Sequence, residues 1–184
     1  EMTPKVTSAC VERAETGLDA VIIPERHVGE GFWTQARALE RACYLGDDNV
    51  EAPWFFRRER FLALGGYDED LISGEDWDIF ARLKEQGYSY IRCGEFIHHH
   101  LGRLSFVSNL KRKFYYGRTI RRYVRKHQTS STIHQVPFLR SAYLRNWRLL
   151  VKHPSLALGV FLLKLSDTLA VAAGAVVSGL GGGI

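Results

Sequence analysis

The stretch "GGYDEDLISGEDWDIFARL" (65–83) gathers Asp68, Glu69, Asp70, Glu75, Asp76 and Asp78 into one loop and the start of one helix. Carboxylates at a helix N-terminus are stabilised by the dipole and by the free amide groups there. That accounts for part of the charge. Like charges at this density repel one another unless some face solvent and others face a cation or a basic substrate. A carboxylate beside a hydroxyl can also serve as a general base. Glu75-Asp76, between Gly74 and Trp77, is the pair placed for that chemistry.

Three other groupings carry chemical potential. His98-His99-His100 follows a strand-like run, and three adjacent histidines are by themselves a weak metal signal. If the strand continues through them, alternation turns His99 away from His98 and His100, so one set could face the acidic helix start. Neutral imidazole is a good ligand for divalent metals. Arg57-Arg58, after "PWFF", suits ion pairing with the acidic loop, and less strongly phosphate binding. "KRKFYYGRTIRRYVRK" (111–126) interleaves cations with Phe114, Tyr115, Tyr116 and Tyr123. That texture fits stacking on single-stranded nucleic acid or an anionic membrane interface.

The elements that must position these groups can be read from periodicity and punctuation. Thr3-Pro4 opens a helix that runs to about Thr16 and stops at Gly17. "LDAVIIPER" (18–26) reads as a strand, "HVGEG" (27–31) as a loop, and 32–46 as a helix. "APWFFRRE" (52–59) reads as a buried strand and "RFLALGG" as a short helix closed by two glycines. The spacing predicts a helix over 75–86 with Trp77, Phe80, Ala81 and Leu83 inward, then a strand at 88–93. Asp78 is expected on the helix surface or bonded to the turn, and Asp68 to Asp70 are expected to cap the turn after Gly65-Gly66. From Ser105 comes one long basic helix or two, with Gly117 a place for a bend, then a polar link at 128–137 and a second basic helix over 138–153. The apolar tail splits at Lys164-Leu165-Ser166-Asp167 into two runs, each shorter than the ~20 residues a simple spanning helix needs.

The 184 residues suffice for one sizeable core, and the +5 net charge hides a strong asymmetry. Residues 1–102 hold 11 Lys/Arg and 19 Asp/Glu, whereas 103–152 hold 13 Lys/Arg and no acid. A cationic stretch of that length calls for an anionic partner or solvent. Cys10, Cys43 and Cys93 form no CxxC pair, which argues against a zinc site or disulfide framework and fits a reducing compartment. The chain opens at Glu1 with no initiator methionine and no signal-like leader, which reads as a processed or shortened chain.

Taken together, "FFRRERFLALGGYDEDLISGEDWDIFARLKEQGYSYI" resembles the acceptor half of glycosyltransferase family 2, enzymes of the GT-A fold. The resemblance rests on order: an aromatic-arginine strand, a Gly-Gly-aromatic-Asp-Glu turn, a Glu-Asp pair opening a helix, then Arg-Leu and Gly-Tyr. It covers about residues 1–127 and is strongest at 53–92. It implies an α/β fold, a partial GT-A domain over 1–102 lacking its donor half, a basic helical extension over 103–153, and membrane-associating helices over 154–184. Asp76 would be the catalytic base of an inverting transfer from a nucleotide sugar to an acceptor hydroxyl, with Glu75 orienting it. Trp77, Arg57, Arg58 and Gly74 are the candidates for contacting the acceptor, Trp77 either stacking on a sugar or serving as core. His99 would complete the Mg²⁺ or Mn²⁺ site, His98 and His100 being the alternatives. Arg121, Arg122, Arg125, Lys126 and Trp147 would face an anionic membrane surface at the cytoplasmic side, where some relatives use lipid-linked acceptors. No Asp-x-Asp motif is present, so the resemblance places the donor-binding half upstream and expects this chain alone to be inactive.

Two other readings compete. A non-catalytic basic module would bind nucleic acid or membrane through 103–152; the apolar tail disfavours nucleic acid. A retaining transferase would leave Asp76 without its role as base.

Overall fold

The computed structural model describes residues 2–48, 50–126 and 141–180. The fold is mixed α/β with a long C-terminal helix. Helix α1 (Pro4–Glu15) starts where expected, with the Thr3 hydroxyl accepting from the Val6 amide at 3.4 Å. Strand β1 (Ala20–Ile22) is the centre of a three-stranded sheet. It pairs antiparallel with β3 (Pro53–Phe56) and parallel with β4 (Tyr90–Arg92). Alternation along β1 builds two cores. Val21 and Ile23 pack with Val6, Cys10 and Cys93 on the α1 side. Ala20 and Ile22 pack with Ala52, Phe80 and Leu83 on the side of α4 (Glu75–Glu85). The three cysteines are free and buried.

At Pro24 the chain leaves this sheet and enters another. Residues 27–31, expected as a loop, mostly belong to strand β2 (Glu25–Glu30), which pairs in parallel with β5 (Ile97–Arg103). A parallel partner some seventy residues away has no local sequence signal. Helix α2 (Phe32–Cys43) follows, and the short helix α3 (Arg58–Ala63) comes after β3. Strand β3 is shorter and less buried than expected, with Trp54 46% exposed.

Asp78 is not on the helix surface, one of the two places expected for it. It has no exposed side-chain surface and is held by Arg82 at 2.6 Å and Lys126 at 2.9 Å. Arg82 also donates to the carbonyls of Leu64 and Gly66, so one guanidinium ties the double-glycine turn to α4. Asp68 does act within its turn, accepting from the Asp70 amide at 3.0 Å.

Helix α5 (Phe106–Lys126) is continuous through Gly117. The glycine marks a close approach to helix α8 (Pro154–Leu180): a Cβ on Gly117 would lie 2.1 Å from the Val171 carbonyl oxygen, and one on Gly174 would lie 2.1 Å from that of Phe114. The second basic segment forms two short helices, α6 (Ser141–Arg145) and α7 (Trp147–Lys152). Between them the Asn146 side chain donates to the Cys43 carbonyl at 2.9 Å. The link at 128–137 and the side chains of Arg121, Arg122 and Arg125 lie outside the described residues.

The apolar tail is one helix, not two. Lys164 and Asp167 do not interrupt α8 because they share the face that meets α2 and α5, where opposite charges receive them. Lys164 pairs with Glu40, and Asp167 accepts from Arg37 at 2.7 Å and from Asn109 at 2.6 Å. Arg37 also bonds Glu40 at 2.6 Å. Around this network Ala36 and Leu39 pack on Val160 and Leu163. The span Pro154–Gly179 is long and apolar enough to cross a membrane by length and composition, with 22% of its most apolar window buried.

Candidate functional site

Gly74 sets the entry to α4. Its φ of 85° is left-handed, a conformation open to glycine at little cost. An added Cβ would also meet the Tyr123 ring at 3.0 Å. The turn delivers Glu75 and Asp76 to a cleft of about 270 Å³ whose other walls are Trp54, Tyr67, Asp68 and Leu71. Asp76 Oδ1 accepts from the Trp77 amide at 2.9 Å. Burial pushes the Asp76 carboxyl up to about 6, with the Glu75 charge adding to the rise and the Trp77 amide opposing it. Tyr67 is raised as well, by burial and then by the two carboxylates, so it stays a phenol that can donate.

Of the two roles left open for Trp77, the structure favours the core. Trp77 lies outside the cleft lining: it packs against the core beneath β1, and its indole N–H donates to the Val50 carbonyl at 3.2 Å. Trp54 takes the place beside the carboxylates. Alternation along "PWFF" could have separated Trp54 from Phe55, but only the sheet shows which side meets the cleft. Arg57 and Arg58 also lie outside the lining, and both are exposed. Arg57 donates to the Ala14 carbonyl at 3.1 Å and precedes α3, while Arg60 makes the ion pair nearby, to Asp19 at 2.9 Å.

The histidines lie within β5, so the strand does run through them. His27 stands opposite His99 in the ladder, and Glu25 lies two residues before His27, on the same face. Glu25, His27 and His99 each offer a ligand atom, and these lie within 4.8 Å of one another. Two imidazoles and a carboxylate make a donor set for a divalent transition ion. Burial alone would raise Glu25, but the His27 bond and the charges of Arg41, His27 and His99 hold it below the usual carboxylate range. Burial lowers His99 despite the pull of Glu25, which keeps the imidazole neutral and able to ligate. His98 and His100 are not in the cluster. Glu25 and His27 went unrecognised because the boundary at 26/27 splits them between a strand and a loop, and nothing local points to β5.

Arg41 joins the two halves. It pairs with Glu25 at 3.1 Å, and its charge opposes part of the rise that burial causes at Asp76 and Glu51. Among the described residues the buried side-chain atoms lacking a hydrogen-bond partner are His27 Nδ1, Arg41 Nε, Glu51 Oε1, Ser73 Oγ and Glu75 Oε2. All five belong to the two carboxylate groupings, to Arg41 or to their immediate neighbours in chain or charge. Buried polar groups are almost always satisfied, so unpaired ones concentrated in one region fit a ligand, ion or water there.

Lys126 is exposed, and its ammonium bonds Asp68 at 2.6 Å and Asp78 at 2.9 Å. Trp147 is exposed, at 53%. Comparison of the chain with protein-family models, with curated proteins and with solved structures finds no match.

Proposed function

We propose that this chain supplies the acceptor side and general base of an inverting, metal-assisted glycosyl transfer, as the resemblance to glycosyltransferase family 2 suggests. The observation that carries the reading is the cleft: a half-buried carboxylate pair facing an exposed tryptophan and a protonated tyrosine. Aromatic faces suit the apolar face of a sugar ring, and carboxylates suit its hydroxyls.

Asp76, ionised above about pH 6, accepts the proton of the acceptor hydroxyl as that oxygen bonds to the anomeric carbon of a nucleotide sugar. The bond from that carbon to the diphosphate breaks on the opposite side. Glu75 orients the hydroxyl, and Trp54 and Tyr67 hold the ring. Glu25, His27 and His99 would hold the divalent ion, whose charge would offset that of the departing diphosphate. Two imidazoles favour Mn²⁺ over Mg²⁺, which prefers an all-oxygen shell. The apolar α8 and the cations near it support a site at the cytoplasmic face of a membrane, with a sugar or lipid-linked glycan as acceptor.

The test is turnover of a panel of nucleotide sugars with Mn²⁺ by this chain and by any longer native protein that contains it, each with Asp76 or Asn at position 76. Donor turnover that falls about a hundredfold or more in Asp76→Asn supports the reading. An active protein indifferent to that change would remove Asp76 as base and favour a retaining course. No turnover of any donor by either form would remove glycosyl transfer.

A further inference from the structure

We infer that α8 lies in the plane of an anionic bilayer surface and does not cross it. The inference deepens the membrane part of the reading above and is independent of the transfer chemistry.

A helix apolar on every side is normally buried on every side. Helix α8 is apolar around its circumference, yet only one side is covered. Val160, Leu163 and Asp167 are buried against α2 and α5. On the other side Leu158, Leu162, Leu165, Leu169 and Val176 recur at helical spacing, each 40–62% exposed. This stripe runs most of a helix about 40 Å long, far more than the scattered exposed leucines of an ordinary surface.

The neighbouring surface tells what covers the stripe. Over 141–180 the only acid is Asp167, and it is buried. Lys164 has a side chain 12% exposed and paired with Glu40. The exposed charges of α6, α7 and α8 among the described residues are therefore Arg145, Arg148 and Lys152, all cationic, beside exposed Trp147 and Val151. Arg145 also reaches Asp47 at 3.7 Å, while Arg148 and Lys152 stand beside Trp147. An apolar band rimmed by cations and a tryptophan fits anionic headgroups over acyl chains.

Orientation follows from the other face. Lys164 and Asp167 sit near the middle of α8, so a spanning helix would carry them to the bilayer centre. They are bonded there to Glu40 and Arg37 of α2 and Asn109 of α5. Crossing would break four charged side chains out of one network, or drag a helix of the α/β body into hydrocarbon. Lying flat costs neither.

The test uses the full chain with single substitutions Leu158→Cys, Leu165→Cys, Leu169→Cys and Val176→Cys, since the native cysteines are buried. Each carries an environment-sensitive fluorophore, and vesicles of phosphatidylglycerol and phosphatidylcholine contain shallow or deep nitroxide quenchers. The expected result is one shallow depth for all four labels. Depth that passes through a maximum near residue 169 would mean a spanning helix and overturn the inference. Leu165→Glu with Leu169→Glu should leave the fold intact and weaken vesicle binding about a hundredfold or more. Unchanged binding by that double variant, or by purely neutral vesicles, would overturn it. So would a stable dimer by sedimentation equilibrium that fails to bind vesicles, because the stripe would then be an interface between copies. None of these readouts involves sugar transfer, so either reading can fail without the other.

Discussion

His27 and His99 face each other across the parallel β2–β5 ladder with ring centroids 5.2 Å apart, and Glu25 reaches both of them from the same face of β2. Neither histidine has a sequence neighbour that could complete such a set. The register, with His27 opposite His99 and Glu25 opposite Ile97, makes it.

Mn²⁺ titration followed by electron paramagnetic resonance checks the cluster directly. Glu25→Gln, His27→Ala and His99→Ala should each weaken binding about tenfold or more. His98→Ala should change it little. Equal affinity in all four variants would place the ion elsewhere. Chelation of the ion should remove donor turnover along with binding.

Asp76 gives a pH signature in stability as well as in rate. Its folded carboxyl titrates near 6 rather than in the ordinary range, so the folded state binds this proton more tightly than the unfolded state. The resulting stabilisation is full below about pH 4 and is lost as pH rises through about 6. Asp76→Asn should therefore raise the thermal midpoint at pH 7.5, by the equivalent of about 3 kcal/mol at most, and should do much less at pH 4. Turnover of the unaltered protein should rise with pH through the same region. A midpoint difference that ignores pH would contradict both.

Trp54 and Trp77 should separate binding from folding. Trp54→Ala should raise KM for the acceptor and change stability by less than about 0.5 kcal/mol, because half of the side chain is already in water. Trp77→Phe should lose the bond to Val50 and about 1 kcal/mol of stability with KM unchanged. Urea denaturation beside acceptor-dependent kinetics would read both, and the opposite pattern would return Trp77 to the cleft.

Glu40 anchors α8 electrostatically. Burial would raise its carboxyl, but Lys164, Arg37 and the Tyr44 hydroxyl pull it down to about 2. Its contribution is present above the ordinary carboxylate value and is lost as pH falls toward 2. Glu40→Gln leaves Lys164 and Arg37 short of a partner and should cost about 3 kcal/mol or more at pH 7, measured by chemical denaturation. A loss under 1 kcal/mol would mean that the network is held by water rather than by packing.

Gly117→Ala tests the α5–α8 approach. A Cβ cannot fit 2.1 Å from a carbonyl oxygen, so the helices must separate. The change should cost about 1–3 kcal/mol, although alanine is the better helix former. A gain in stability would show that α8 is not seated on α5.

Sequence alone determined the local facts. The Thr3-Pro4 start, the helix opening at Glu75, the core roles of Phe80 and Leu83 and the cationic run after residue 102 all follow from side-chain chemistry within a few residues. Tertiary structure decided wherever the partner was distant. It turned 27–31 from loop to strand through β5, put Trp54 at the cleft and Trp77 in the core, and buried Asp78 by pairing it with Arg82 and Lys126. It also made one helix of the tail by supplying Arg37, Glu40 and Asn109 to Lys164 and Asp167. A charge inside an apolar run reads as a break until its counter-charge is seen, and that counter-charge lies more than a hundred residues away on α2.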